Sequence, residues 1–282
     1  VSSPVAASVE PLLRLPGVTD AVAAAREACT QLRWHQALRR RIPEAAAESR
    51  VRGARETAFL DGIQFPVETV RDLSRGALSW RDDPLPDEQV LRGAVQVTAE
   101  AEHLRAVLSA APRQVVARLH TAAATPLGVE AAALGRPRGP EAVCAELVEL
   151  GEPVAAERVA ARLDGIVELL RAVGPVPAGV VGALVHAEMA VVRPFERGNG
   201  LVARALERVV VQAGGLDPTG VAVPEAGHRS LGQTAYVGAL AAYATGTQDG
   251  VRLWLLHCCE AMVAAAAEGT RVADAVLAGR TA

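Results

Sequence analysis

Arg193-Pro194-Phe195-Glu196-Arg197-Gly198-Asn199-Gly200-Leu201-Val202-Ala203-Arg204 decides how the rest of the chain is read. Glycines at 198 and 200 tolerate backbone geometries closed to other residues and let a ligand approach the main chain. A helix follows at once. Val202, Leu206, Val209 and Val210 share one face, Arg204, Glu207, Arg208 and Gln212 the other, and Gly214-Gly215 supplies the stop. Free N–H groups at a helix start, aided by the helix dipole, favour a phosphate or carboxylate. Arg204 projects from the first turn and can reach the same anion. For a bare Gly-x-Gly, a turn that merely opens a helix is the simpler account, because short glycine patterns are common.

Composition points to helices. Of 282 residues half are hydrophobic, yet only eight are aromatic (three Trp, two Tyr, three Phe), so the core must be built from Ala, Val and Leu. The length suits one large domain or two ordinary ones. Every basic residue is arginine, and the net charge of −3 gives no general attraction to nucleic acid. Arginines do cluster at Arg33, Arg39, Arg40, Arg41, Arg50, Arg52 and Arg55, but Glu44, Glu48 and Glu56 are interleaved with them, which reads as a solvated helix face. No charged n-region precedes an apolar run at the start of the sequence. Residues 230–248 are too polar to span a bilayer. Residues 172–187 are too short and are broken by Pro175 and Pro177. No membrane is expected. Cys29, Cys144, Cys258 and Cys259 lack metal-ligand spacing, and free thiols in a reducing cytoplasm are the expectation.

Residues 1–20 read as a loose arm, and 1–43 as that arm plus a helix over 21–41 broken near Pro43. Trp34 and His35 there read as packing groups. The remaining 44–282 read as one helical domain. Its helices fall over 44–60, from Pro86-Asp87-Glu88 to about 108, over 113–123, about 159–173 and 177–192, then after the glycine loop, and over 230–245 and 251–269. The helix at 177–192 is apolar nearly all round and belongs at the centre of a bundle. Residues 125–140, with Pro126, Gly128, Gly135, Pro137, Gly139 and Pro140, form the clearest break, long enough for a hairpin or an exposed functional loop.

The glycine loop closely resembles the signature of the Fic (Fido) family, His-x-Phe-x-acid-Gly-Asn-Gly-Arg-x-x-Arg. Phe195, Gly198, Asn199, Gly200 and Arg204 match it. Arg193 stands where the family has its catalytic histidine, Arg197 where it has an acidic metal ligand, and Leu201 where it has its first phosphate-binding arginine. In helix order the resemblance extends over roughly 44–269. It implies an all-α helical bundle with, at most, a small β-hairpin flap at 127–138. His186 precedes Arg193 by seven residues, where relatives often carry a histidine; a packed or hydrogen-bonded core residue is the preferred reading. The 236–243 helix and Trp254-Leu255-Leu256 resemble the closing helices of such domains, with His257 and Cys258 as packing groups. Thr57-Ala58-Phe59-Leu60-Asp61-Gly62 resembles the family's inhibitory helix, Ser/Thr-x-x-x-Glu-Gly/Asn, placing such a helix near 50–62. It implies a pair between Asp61 and Arg204; the alternative is a helix that ends at Gly62 with Asp61 in solvent.

Active members of the family transfer AMP from ATP to a protein hydroxyl, with the histidine as base and the acidic residue holding magnesium. Arginine has no lone pair to accept that proton and stays protonated, and Arg197 removes a hard oxygen ligand for magnesium. The resemblance therefore implies a degenerate site without AMP-transferase chemistry. Arg193, Phe195, Arg197, Gly198, Asn199, Gly200 and Arg204 are its phosphate-binding candidates, and Thr57, Asp61 and Gly62 the inhibitory pair's side. No metal is expected. The cofactor implied is none, or ATP or another nucleotide held without magnesium; the partner implied is a protein. Two alternatives stay open: a transferase of altered chemistry, with a base such as His186 and another phosphate-containing donor, and a helical interaction scaffold with no ligand.

Overall fold

The alanine-rich, aromatic-poor composition produces helices throughout the computed structural model, which describes residues 4–280. Among these residues the chain forms α1 (Pro4–Leu13), α2 (Val18–Arg33), α3 (Ile42–Leu60), α4 (Val67–Ser74), α5 (Pro86–Leu104), α6 (Pro112–Ala124), α7 (Ala156–Arg171), α8 (Ala178–Val192), α9 (Asn199–Ala213), α10 (Pro224–Ser230), α11 (Gln233–Ala244) and α12 (Gln248–Leu277). Proline in the first turn starts α3, α5, α6 and α10, where its missing N–H costs nothing.

The centre is the α8–α9 pair. Helix α8 is apolar and buried on nearly every side, and it packs on α9, α7, α11 and α12. Helix α9 is buried all round as well, including its polar face: Arg204, Glu207, Arg208 and Gln212 are all inside. Helices α5 and α6 cover α9 from one side. The long α12 lies along α2, α10 and α11. By length and apolar character α12 could cross a membrane, but more than half of its apolar window is buried against these neighbours. The stretch that meets the length and apolarity of a span is thus in α12, not residues 230–248 or 172–187.

Several expectations are corrected. Residues 4–20 are not a loose arm: α1 and the start of α2 occupy them, and Val9, Leu15 and Val18 are buried in the core; residues 1–3 lie outside the described part. The helix expected over 21–41 runs from Val18 to Arg33 and is followed by a separate 3-10 turn, Gln36–Arg39. Trp34 is no packing residue, being 75% exposed. No hairpin forms at 127–138; the segment is a series of turns, and no strand occurs among the described residues, where Val173 and Val176 make one isolated bridge. The arginine cluster is not a plain solvated face. Glu48 is buried, taking Arg52 at 3.0 Å and Arg71 at 2.8 and 3.0 Å, and Glu56 is buried too.

Candidate functional site

Helix α8 ends at Arg193, whose backbone turns into the left-handed region (φ 47°, ψ 63°), and Gly198 (φ 84°) turns the chain again to start α9. Between them Phe195 is buried and stacks on His120 of α6, with ring centroids 3.7 Å apart and planes 6° from parallel. Asn199 ties the loop to itself: its Oδ1 accepts from the Phe195 N–H at 3.0 Å and its Nδ2 donates to the Phe195 carbonyl at 2.9 Å. The loop is thus tied to itself, and the first N–H groups of α9 are left to an acceptor outside it.

The acceptor is Glu146. Its Oε1 takes the Gly198 N–H at 2.6 Å; its Oε2 takes the Asn199 N–H at 2.9 Å and Asn199 Nδ2 at 3.0 Å. A carboxylate therefore sits where a helix N-terminus and its dipole hold anions best. Nothing local in the sequence signals this, because Glu146 lies in irregular chain between α6 and α7.

The three arginines of the loop have separate tasks. Arg193, 1% exposed, donates Nη1 to the carbonyls of Glu146 and Leu147 at 3.1 Å each and Nη2 to that of Gly151 at 2.6 Å; its Nε is buried without a partner. Burial lowers its pKa from the ordinary arginine value, Cys144 acts the other way, and Arg138 adds to the lowering. Its guanidinium is spent on the 146–151 segment. Arg197 donates to the Leu127 carbonyl at 2.5 Å. Arg204, 1% exposed, bonds the Thr57 hydroxyl, the Thr57 carbonyl at 3.2 Å, and Asp61 Oδ1 at 2.7 Å, with the Tyr236 hydroxyl at 3.5 Å. Although burial opposes the charge, Asp61 and Tyr236 raise the Arg204 pKa above its ordinary value. Thr57, Asp61 and Arg204 are thus brought together. Gly62, also at positive φ (88°), ends the turn after α3. At Gly200 an added Cβ would come within 3.1 Å of Asp61 Oδ1 and 3.2 Å of Arg204 Nη1, so this pair closes tightly over the glycine.

A cleft of about 320 Å³ opens beside the loop, lined among others by Asp61, Glu146, Glu149, Arg197, Gly200 and Tyr236; Arg193 and Arg204 are not in its wall. The size is at the lower end of small-ligand sites.

Below the loop the polar face of α9 forms a second constellation, and here sequence reading missed most partners. His186 Nδ1 lies 2.6 Å from Glu207 Oε2 and His186 Nε2 lies 2.8 Å from the Tyr236 hydroxyl; His228 Nε2 lies 2.9 Å from the same Glu207 oxygen, and His228 Nδ1 lies 3.2 Å from His257 Nε2. His257 is therefore part of a network rather than a packing group alone. Burial brings His186 down to about 4 and His257 to about 3. Glu207 is also buried, but His228 and the two imidazole hydrogen bonds outweigh that and hold its carboxyl below the usual range. His186, Glu207 and His228 present three ligand atoms within 4.8 Å, a set of the kind zinc takes. Their spacing is nevertheless that of hydrogen bonds, and one choice of tautomers satisfies it throughout: Tyr236 donates to His186, His257 to His228, and both of those imidazoles to Glu207. The three atoms that would ligate an ion are thereby all engaged in hydrogen bonds to one another or to Tyr236 and His257. His120 is similarly engaged, accepting from the Gly135 N–H at 2.8 Å with its other nitrogen 3.2 Å from the Arg197 carbonyl, and burial lowers it to about 4.

This bundle, with an anion-holding glycine loop between two central helices, defines the class of protein. No family model matches the sequence, and no curated protein matches it either. Solved structures do. Fic-1 from C. elegans superposes with a TM-score of 0.67 at 16% identity, over 97% of this chain and 76% of that one. A Fic family protein from Desulfovibrio desulfuricans gives 0.68 at 19%, over 94% and 75%. A Fic domain containing signaling protein from Bacteroides thetaiotaomicron gives 0.61 at 14%, over 90% and 98%. The chain has the Fic fold.

Proposed function

We propose that this chain is a Fic-fold protein that lacks AMP-transferase activity, binds a phosphate-bearing ligand at the start of α9, and acts through a protein partner. One observation carries the reading. The Gly198 and Asn199 N–H groups, with Asn199 Nδ2, already hold a carboxylate, so the loop is competent for an anion. The loss of transfer is supported by Arg193, which has no lone pair for a substrate proton and whose guanidinium is engaged elsewhere. His186 is no replacement base: it is fully buried and both ring nitrogens are taken.

A second reading, an interaction scaffold without ligand, draws support from the identity of the occupant, which is the chain's own Glu146. Thermal unfolding with ATP separates the two. Ligand at a hundred times its dissociation constant stabilises by about 2.7 kcal/mol, which raises the midpoint by several degrees in a chain of this size (about 2–4 °C per kcal/mol). The ligand reading expects such a shift, larger in Asp61→Gly, where Arg204 loses its carboxylate partner although Thr57 still holds it. No shift in either protein favours the scaffold. Labelled AMP transferred to lysate proteins, and lost in Arg204→Ala, would overturn the claim of inactivity.

A further inference from the structure

We propose that residues 138–154 are a built-in plug of the α9 anion site, in which Glu146 is the internal occupant and Arg193 the latch that holds it. The proposal rests on the reading that a ligand phosphate binds at this same helix start, and adds that the ligand must first displace the plug.

Glu146 fills the site chemically as a phosphate would. Both of its oxygens are engaged by three donors, two of them the N–H groups that open α9. Arg193 then fastens the segment at Glu146 and just beyond it, binding the carbonyls of residues 146, 147 and 151. The arginine at this position therefore has a task of its own. The segment returns the grip: the Arg138 N–H donates to the Pro194 carbonyl at 2.7 Å, and Arg138 Nε to the Arg193 carbonyl at 2.8 Å.

Strain lies at the same place. Among the described residues, Leu147 (φ 52°) and Arg193 (φ 47°) are the non-glycine residues at positive φ, and they are bonded to one another through Arg193 Nη1 and the Leu147 carbonyl. Unfavourable backbone held by a few polar contacts is typical of clamps and switches. Apolar contact is one-sided: Cys144 is buried and Leu147, Leu150 and Val154 pack half-buried against the core, while Val143 and Val148 stand in solvent. With the plug seated, Glu146 and Glu149 oppose Arg197 in the cleft wall, where Asp61 is already paired with Arg204, a balance that disfavours a polyphosphate. Withdrawing Glu146 frees the helix N–H groups and removes one of those charges together.

The test compares wild type, Glu146→Gln and Glu149→Gln, reading pyrophosphate affinity by calorimetry and hydrogen exchange at 140–154 and 195–200. A glutamine at 146 must set its own N–H₂ against N–H donors, so it unseats the plug while keeping its shape. If the segment is seated nine times in ten, freeing the site tightens apparent affinity about tenfold. The expected result is that gain in Glu146→Gln only, with faster exchange in both segments. Equal gains in Glu146→Gln and Glu149→Gln would reduce the effect to general charge and overturn the plug. So would unchanged exchange in Glu146→Gln. Faster exchange without pyrophosphate binding to any variant supports the latch and removes the ligand reading instead. Should Glu146→Gln fail to fold, wild type carries the test: bound pyrophosphate must speed exchange at 140–154, and unchanged or slowed exchange there overturns the proposal.

Discussion

Arg193 shows how a single residue can change the work of a loop. In the resembling signature this position supplies a base; here three backbone carbonyls depend on it. Returning histidine should therefore fail twice. Arg193→His leaves those half-buried and exposed acceptors without their donor, and at about 1 kcal/mol per lost bond the fold should weaken by up to about 3 kcal/mol in denaturant titration. It should also show no AMP transfer from ATP, because Arg197 and Leu201 remain. Transfer recovered by that one change would mean that neither position matters. Asp61 makes a milder case. It is 26% exposed on a fully buried partner, so Asp61→Ala should cost about 1–2 kcal/mol, less than breaking a wholly buried pair, since Thr57 still holds Arg204. A cost near zero would mean that Arg204 is satisfied without its carboxylate.

Elements differ in how plainly the sequence announces them, and the reasons are physical. The α8–α9 hairpin is legible because α8 is apolar or glycine at every position except His186 and Glu188, α5 because proline and two acidic residues mark its start, and α6 because proline does. Thr57, Asp61 and Arg204 were legible as a pair only through the resemblance, since 143 residues separate the last two. Helix α1 was hidden by composition: Ser and Pro suggested a loose arm although Val5, Val9 and Leu12 keep helical spacing. Helix α10 has only seven residues, too few for a period to show. Glu146 was invisible because no local pattern ties it to the loop 52 residues on. Packing of α10 on α12 leads to a further prediction. A Cβ at Gly227 would fall 2.0 Å from the Ala261 carbonyl oxygen of α12, so Gly227→Ala must push the helices apart and should cost about 3 kcal/mol. Gly238, exposed in α11 with nothing within 4 Å, is the opposite case; Gly238→Ala should stabilise by about 0.5–1 kcal/mol through helix propensity. Parallel melting curves of the two variants decide whether close approach or propensity governs these glycines.

Taken whole, the molecule is organised around buried polarity. Helix α9 carries Arg204, Glu207 and Arg208 into the interior, where Asp61, two histidines and Glu225 meet them. With only eight aromatic residues in the chain, this network does part of the positioning that large side chains do in other cores. It also makes the fold sensitive to acid. His186 faces Glu207, His228 and Arg204; His257 faces His228, Glu207 and His186; His120 faces the Arg197 carbonyl. Burial brings the three to about 4, about 3 and about 4, against about 6.5 when unfolded. The unfolded chain thus binds more protons through the window from pH 6.5 down to 4, and stability must fall as the pH falls through it. Each imidazole contributes on the order of 3 kcal/mol across the window, against a total stability of about 5–15 kcal/mol. Glu207 and Glu268, held below their ordinary values, add a loss in the same direction at lower pH still. Denaturant titrations at pH 7, 5.5 and 4.5 should therefore show a steep decline well above the range where carboxylates titrate, and His120→Gln should flatten it. A profile level down to pH 4.5 would mean that the imidazoles gain their protons inside the fold, and that the hydrogen-bonded interior tolerates the added positive charge.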